Sequence, residues 1–415
     1  MKWLKKISVY TVSFALIVSG CVTNTGAPSG LGGLSVGPQI SSILDPKRDA
    51  IIDENKHKLD VIVPVFDPGL SEEAAQHKVE GIWPELRRAE ANRFAYMLKK
   101  ALDDTKAFGA VRVTPDKTAT GDVYVLGKIL ESNGEDVKIE IQVYDITNRL
   151  WFTRNFSHEV NVGFHKDVRN KGLDPYAPVF EKAANRVAIE LEDMQEADLI
   201  KLSEMTELRF ATNMSADAFA ENLTVEDGTA KLVSYPSEDD PMLKRTRAIR
   251  VRDQLFVDGL QDQYRDFSDR MDASYLIWQE QSLFEFEAER EASRKATAEA
   301  ALGVLAIGLA ILSAVAGSRS NTYGGRSAGT TGAILGGTAA VALFSKSFQT
   351  SEESKVHRDA LNELGQSIDV DLGPKVVEFD KETVKLTGNA KEQFAQWREF
   401  LKKIYEQERT PAKQL

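Results

Sequence analysis

Alternating and periodic apolar positions predict a small α/β unit in the first half of the chain. Residues 59–66 are rich in β-branched side chains and predict a strand, in which Pro64 favours an edge position or a bulge. From Pro84 to Thr105, apolar residues recur at helical spacing, and charged residues such as Arg87 and Glu90 lie on the other side of the predicted helix. A strand followed by an amphipathic helix is therefore expected.

Four further strands and a closing helix are predicted after that helix. The strands cover residues 110–114, 122–130, 137–146 and 150–160, and the helix covers 175–194. The dipeptide Asn133-Gly134 is a strong signal for a tight hairpin turn between the second and third of these strands.

The next region, 199–299, is expected to be mostly helical and to contain one long amphipathic helix. Asp240 followed by Pro241 is typical of an N-cap and a first helical position, although the acidic cluster around it could instead bind a cation. Apolar residues then step by threes and fours, as in the seam of a coiled coil that packs on a partner: Phe256, Leu260, Tyr264, Phe267, Met271, Tyr275 and Trp278. Such a stripe indicates a core or an oligomer interface.

Residues 300–348 contain two uncharged stretches, 300–317 and 327–344, on either side of a polar turn. Gly325, Gly329 and Gly337 fall at spacings of four or eight and predict a smooth strip where helices pack closely. This resembles the glycine-zipper hairpin of small outer-membrane lipoproteins. Each half would span ~27 Å, against a hydrocarbon core of ~30 Å. We expect membrane association and a homo-oligomer; the alternative is an apolar hairpin buried in a soluble oligomer.

The final region, 349–415, is predicted to contain helices and a strand. A short helix over 354–364 ends before Gly365, a short strand covers Lys375–Phe379, and an amphipathic helix covers 389–408. The last helix is expected to pack back on the long helix.

The amino terminus has the plan of a secretory signal over residues 1–20. Three lysines precede an apolar run over 7–18, and small residues then lead to Gly20 and Cys21. This resembles the lipobox of bacterial lipoproteins, and Cys21 is the only cysteine in the chain. The resemblance implies cleavage between Gly20 and Cys21, palmitate on Cys21, and, because Val22 rather than aspartate follows, sorting to the periplasmic face of the outer membrane.

Composition adds two bounds. The chain has 415 residues with 42% hydrophobic content, which is enough for several folded segments with a core. The formal net charge is −11, which argues against nucleic acid as a partner. Residues 21–45 are rich in Gly, Ser and Thr and predict a flexible, lipidated tether.

The order of elements in 46–198 resembles a known family. Its motifs here are Phe108-Gly109-Ala110-Val111 before a short strand, the strand sequence Gly-Asp-Val-Tyr-Val-Leu-Gly over 121–127, and Val-Tyr-Asp-Ile-Thr-Asn over 143–148. The unit resembles the domain shared by the TolB amino-terminal region, the curli-secretion channel lipoproteins and the lipoprotein activators of penicillin-binding proteins. That resemblance implies contact with an envelope protein or oligomer assembly, and it brings no catalytic residues.

Signals for catalysis or cofactors are weak. The five histidines show no metal spacing; His158 and His165 lie seven apart across a predicted strand end, which does not favour a ligand pair. No nucleophile elbow, phosphate loop or dinucleotide fingerprint occurs in the sequence. We therefore expect no enzyme, no cofactor and no metal.

The expected fold class is α+β: a small α/β sandwich domain followed by a long helical region with an apolar helical hairpin. The expected function is a non-catalytic, lipid-anchored interaction or assembly protein of the cell envelope. Two alternatives remain open: an oligomeric component of an outer-membrane secretion or transport complex, and a regulator of peptidoglycan synthesis. The expected segments are 1–20, 21–45, 46–198, 199–299, 300–348 and 349–415.

Overall fold

A five-stranded mixed sheet with two helices on one face forms the first half of the described chain. The computed structural model describes residues 49–53, 55–72, 82–316, 354–366, 369–370, 372–379 and 382–409. The strands are β1 (Val61–Pro64), β2 (Val111–Thr114), β3 (Val123–Ser132), β4 (Asp136–Asp145) and β5 (Leu150–Glu159). Their order is β2-β1-β3-β4-β5. β1 pairs in parallel with β2 and β3, and the remaining pairs are antiparallel.

Two amphipathic helices cover one face of this sheet. Helix α1 (Pro84–Thr105) connects the parallel strands β1 and β2, and helix α2 (Ala177–Glu192) follows β5. Alternate residues of β4, from Val137 to Val143, are buried beneath them, as the two-residue period predicts. The rings of Phe94 and Phe180 meet edge to face, with centroids 5.1 Å apart, where α1 packs on α2. The mixed α+β class is thus confirmed.

The expected edge position of β1 is wrong. β1 lies between β2 and β3, and Pro64 is its last residue. The ladder from β1 to β3 covers only Val61 and Ile62, while the ladder to β2 reaches Pro64. A proline cannot donate to a ladder, and here it stands beyond the last residue paired with β3, so an inner strand tolerates it.

The second half of the described chain is built around one long helix. Helix α3 (Glu196–Met214) and the short helix α4 (Ala216–Phe219) lead to a hairpin of β6 (Leu223–Glu226) and β7 (Thr229–Leu232), which the sequence analysis did not predict. Helix α5 then runs over Pro241–Ala316. Asp240 is its N-cap, because its Oδ1 accepts from the backbone N–H of Met242 at 2.7 Å and of Leu243 at 3.0 Å.

The C-terminal elements pack against α5, as expected. They are helix α6 (Lys355–Leu364), strands β8 (Lys375–Phe379) and β9 (Glu382–Leu386), and helix α7 (Ala390–Arg409). Strand β9, which pairs with β8 in an antiparallel hairpin, was not predicted. The described elements from residue 49 onward belong to one compact unit, and the boundaries expected within it stay predictions from the sequence.

The apolar seam of α5 packs inside the same chain. Every seam residue from Phe256 to Trp278 is buried. Phe256 stacks on Trp397 of α7 with ring centroids 5.0 Å apart. The ring centroid of Tyr275 lies 6.3 Å from that of Tyr176, which precedes α2. The partner of the seam is therefore the α/β part and the C-terminal elements, so this stripe forms a core.

The apolar hairpin expected over 300–348 lies only partly within the described residues. Helix α5 continues through Ala316, whereas residues 317–348, which include the expected turn and the second uncharged stretch, lie outside the described ranges. Over the residues that the structure describes, no helix combines the length and the apolar character needed to cross a membrane.

Candidate functional site

A cluster of buried charged and phenolic side chains lies where α5 packs against α1. Its centre is Glu90, which is fully buried. One carboxylate oxygen of Glu90 accepts from the hydroxyl of Ser132 at 2.5 Å and from the hydroxyl of Tyr275 at 2.7 Å. The other oxygen lies 3.2 Å from Nε of Arg87. Glu90 thus links α1 to the end of β3 and to α5.

Arg93 lies one turn further along α1 and is also buried. Its guanidinium donates to Oδ2 of Asp174 at 2.8 Å and to Oγ of Ser268 at 3.0 Å, and it pairs with Asp272 of α5. It also lies 5.0 Å from the ring centroid of Tyr275. A buried guanidinium is tolerated only when its charge is paired, so these acceptors hold α5 and the segment before α2 against α1.

The β3–β4 turn completes this interface. The backbone N–H of Gly134 donates to the hydroxyl of Tyr176 at 2.7 Å. Gly134 has a φ of +97°, and a Cβ at this position would lie 2.4 Å from Cβ of Ser282 on α5. Only glycine meets both requirements here, which explains the Asn-Gly turn in terms of packing as well as hairpin geometry.

Burial and ion pairing set the charge states in the cluster. Burial raises the pKa of Glu90, although Arg87, Ser132 and Tyr275 act against this rise. Burial also raises the pKa of Tyr275 well above its ordinary value, so this phenol remains a hydrogen-bond donor. Burial lowers the pKa of Arg93, but Asp174 and Asp272 outweigh that effect, and its pKa stands above the ordinary value. Arg93 is therefore a permanent cation.

A second set of polar contacts joins α5 to the edge of the sheet. Arg112 of β2 donates to Asp258 of α5 at 2.5 Å and to Asp60 at 3.0 Å. The side-chain amide of Gln261 accepts from the backbone N–H of Val113 and donates to its carbonyl, both at 2.8 Å. These two bonds satisfy the backbone N–H and carbonyl of Val113 at the edge of β2, as a neighbouring strand would.

The opposite edge of the sheet carries no such cover. Strand β5 is an edge strand that pairs only with β4 among the described residues. It is ten residues long and most of its side chains are exposed or half-buried. Lys182 of α2 donates to the carbonyl of Ser157 at 3.2 Å. Within the described residues, no strand pairs with the outer edge of β5.

An open groove lies between α1, α2 and the segment 49–52. Its volume is about 460 Å³. Its lining is apolar at the base and mostly acidic at the rim, with Ile52, Met97, Ala101 and Phe180 in the first group and Asp49, Asp104, Glu181 and the cation Lys100 in the second. These residues do not form a nucleophile and base arrangement.

One cluster has the residue types of a hydrolase triad in the wrong order. Nε2 of His57 lies 2.8 Å from Oγ of Ser203, and Ser203 donates to Oδ2 of Asp122 at 3.3 Å. In a Ser-His-Asp triad the histidine lies between the other two and removes the proton of the serine. Here the serine lies between them and its proton is directed at a buried carboxylate, so the geometry does not support nucleophilic catalysis.

The described histidines give no metal centre. Burial, together with Lys182, lowers the pKa of His158 to about 4, and burial lowers the pKa of His165. Within the described ranges, no group of three or more histidine, cysteine, aspartate and glutamate side chains is placed to hold a metal ion.

The site residues expected from the sequence all lie outside the described ranges. These are Gly20 and Cys21 at the cleavage and lipidation site, and Gly325, Gly329 and Gly337 in the hairpin. Comparison with protein-family models gave no match, and neither a curated protein nor a solved structure matched the chain. The resemblance of 46–198 to the TolB amino-terminal family therefore rests on the sequence motifs alone.

The buried charge cluster was not predicted from the sequence, although the spacing of charged residues along α1 is a signal for it. Arg87, Glu90 and Arg93 occur at intervals of three along α1. Residues three apart share one helix face, so this stripe is a row of alternating charge that suits pairing within the helix or across an interface. Only the position of α5 shows that this face is buried.

We predict that Glu90→Gln changes how stability depends on pH. A carboxyl whose pKa is higher in the folded chain stabilises the fold fully below its ordinary pKa, and this contribution is lost as the pH rises toward the folded value. The glutamine variant should thus gain stability relative to the native chain as the pH rises from about 4.5 to about 7.5, because glutamine carries no charge that the rising pH would expose to burial. Urea unfolding at both pH values measures the difference.

The matched control is Glu131→Gln, which removes an exposed carboxylate from β3. Its stability relative to the native chain should change much less between the two pH values. A stability difference for Glu90→Gln that is constant with pH would contradict the assignment of Glu90 as a carboxyl destabilised by burial.

Proposed function

We propose that this chain is a lipid-anchored interaction or assembly protein of the bacterial envelope, acting at the periplasmic face of the outer membrane. The observation that carries the proposal is the lone Cys21, preceded by Gly20 at the end of a signal-like segment. Acyl chains on Cys21 bury methylene groups at about 0.8 kcal/mol each, which would hold the chain durably at a membrane.

The architecture suits an interaction protein. Ion pairs from Arg93 to Asp272 and from Arg112 to Asp258 fix α5 to the α/β part, so a membrane-proximal helix and a binding domain would move together. The uncovered edge of β5 offers backbone groups to a partner strand. Contact with an envelope protein is also what the resemblance of 46–198 to the TolB amino-terminal family implies. We therefore place the partner site on the α/β part.

The hairpin extends the proposal to membrane contact and self-association. Its two uncharged stretches flank Arg319 and Arg326, and the strip of Gly325, Gly329 and Gly337 would let helix backbones approach closely. Since the Phe256–Trp278 seam is buried within the chain, this strip is the better candidate for contacts between copies.

We predict that Cys21→Ala abolishes acylation of the chain and weakens its retention at the membrane. Only this residue offers a thiol for acyl transfer. Incorporation of radiolabelled palmitate, followed by fractionation of the envelope, measures both effects. The control is Val22→Ala, which keeps the thiol and should keep the label. Palmitate incorporation into the Cys21→Ala chain at the native level would contradict lipidation at this residue.

We also predict that Gly329→Leu together with Gly337→Leu removes oligomers without removing the chain from the membrane. Leucine adds bulk at the proposed contact while raising apolarity, so packing should fail while partitioning strengthens. Crosslinking in membranes measures the oligomers, and carbonate extraction in a Cys21→Ala background measures the partitioning of the hairpin.

The control for this pair is Thr331→Leu with Thr338→Leu. At about 100° per residue, these positions fall on the opposite side of a helix from Gly329, so the oligomers should persist. Crosslinked oligomers of the glycine variant at the native level would contradict a role of the glycine strip in assembly.

A further inference from the structure

The loop between β5 and α2 carries exposed aliphatic side chains. Within residues 160–176, Val168 is 85% exposed, Leu173 is 55% exposed and Val162 is 46% exposed. None of the three lines the groove between α1 and α2. Three such residues in one loop make it a candidate contact surface, which the charges beside them define further.

Exposed cations stand between these aliphatic residues. Lys166, Arg169 and Lys171 are all exposed. Arg169 pairs with Asp167 at 2.6 Å, and Nζ of Lys166 lies 3.2 Å from Glu287, but the cation of each pair is mostly exposed to water, so the pairing holds it weakly. The other acid of the loop, Asp174, turns inward to Arg93. The loop is thus basic in a chain whose formal net charge is −11.

The loop has a fixed shape and a defined place. Two short 3-10 turns, Phe164–Lys166 and Val168–Asn170, order its backbone, and the side chain of Asn170 donates to the carbonyl of Phe164 at 3.1 Å. The contact between Lys166 and Glu287 places the loop beside α5, which continues from Glu287 to Ala316. Residues 300–316, at the end of α5, include no charged residue.

We propose that the loop 160–176 rests on an anionic lipid surface, with Val168 and Leu173 in the interface and Lys166, Arg169 and Lys171 at the headgroups. Exposed aliphatic side chains flanked by cations suit the interface of an anionic bilayer, where the aliphatic groups enter the headgroup region and the cations meet the lipid charge. This proposal deepens the proposed function, because it gives the lipid-anchored chain a defined orientation on its membrane.

The first test compares two triple variants of the processed chain carrying Cys21→Ser. One carries Lys166→Gln, Arg169→Gln and Lys171→Gln, and the other carries Lys201→Gln, Lys231→Gln and Lys244→Gln, which removes the same charge from exposed positions elsewhere. Binding to vesicles of phosphatidylcholine with phosphatidylglycerol should weaken about tenfold for the loop variant and much less for the control, since each cation near an anionic surface contributes attraction. Equal weakening of both would overturn the proposal.

The second test reads the position of one side chain. An environment-sensitive fluorophore on Val168→Cys should shift to the blue and be quenched by lipid-borne quenchers, whereas the same label on Val225→Cys, an exposed valine of β6, should stay in water. A label at residue 168 that stays in water overturns the proposal, as does in-cell crosslinking from residue 168 to an acidic protein without any lipid contact. Both tests use an unacylated chain, so their failure is independent of the Cys21 result.

Discussion

The buried guanidinium of Arg93 needs acceptors for its charge, and the packing of α5 and of the segment before α2 against α1 supplies them. A cation removed from water must be paired, and three acceptors from two elements pair this one: Asp174 before α2, and Ser268 and Asp272 on α5. If one of these elements moved away, a buried charge would lose a partner at a cost of about 3 to 5 kcal/mol. The packing of α5 on α1 is therefore specific as well as apolar.

Glu90 applies the same rule with the opposite charge. Its carboxylate accepts hydrogen bonds from Ser132 and Tyr275 and pairs with Arg87, and the ring of Tyr275 also lies beneath Arg93. The two charged groups thus share one aromatic residue of α5. This arrangement gives the seam one polar contact inside its own chain, because the hydroxyl of Tyr275 donates to Glu90 on α1.

Local patterns predicted the α/β part well, because its determinants are local. The period of two in β4, the period of 3.6 in α1 and the turn at Gly134 act within a few residues, and the observed bounds of α1 agree with those expected. The β6–β7 hairpin was missed although Asp227-Gly228 is a hairpin turn signal, because its strands are short and only half-buried.

The remaining differences depend on contacts that no local pattern contains. The central place of β1 follows from pairing with β2 and β3, which lie about 50 and 60 residues further along the chain. The burial of Arg87 and Glu90 follows from α5, far along the sequence. The site residues at Cys21, Gly329 and Gly337 are different, because their chemistry is short-range and the sequence alone indicates it.

Native-state hydrogen exchange tests the central claim most directly. If the paired charges make α5 and the sheet one cooperative unit, amides over 256–278 and over 137–143 should exchange through the same opening free energy and respond equally to denaturant. Exchange of the 256–278 amides at a much lower free energy, while the 137–143 amides remain protected, would show that α5 separates from the α/β part and would contradict the account.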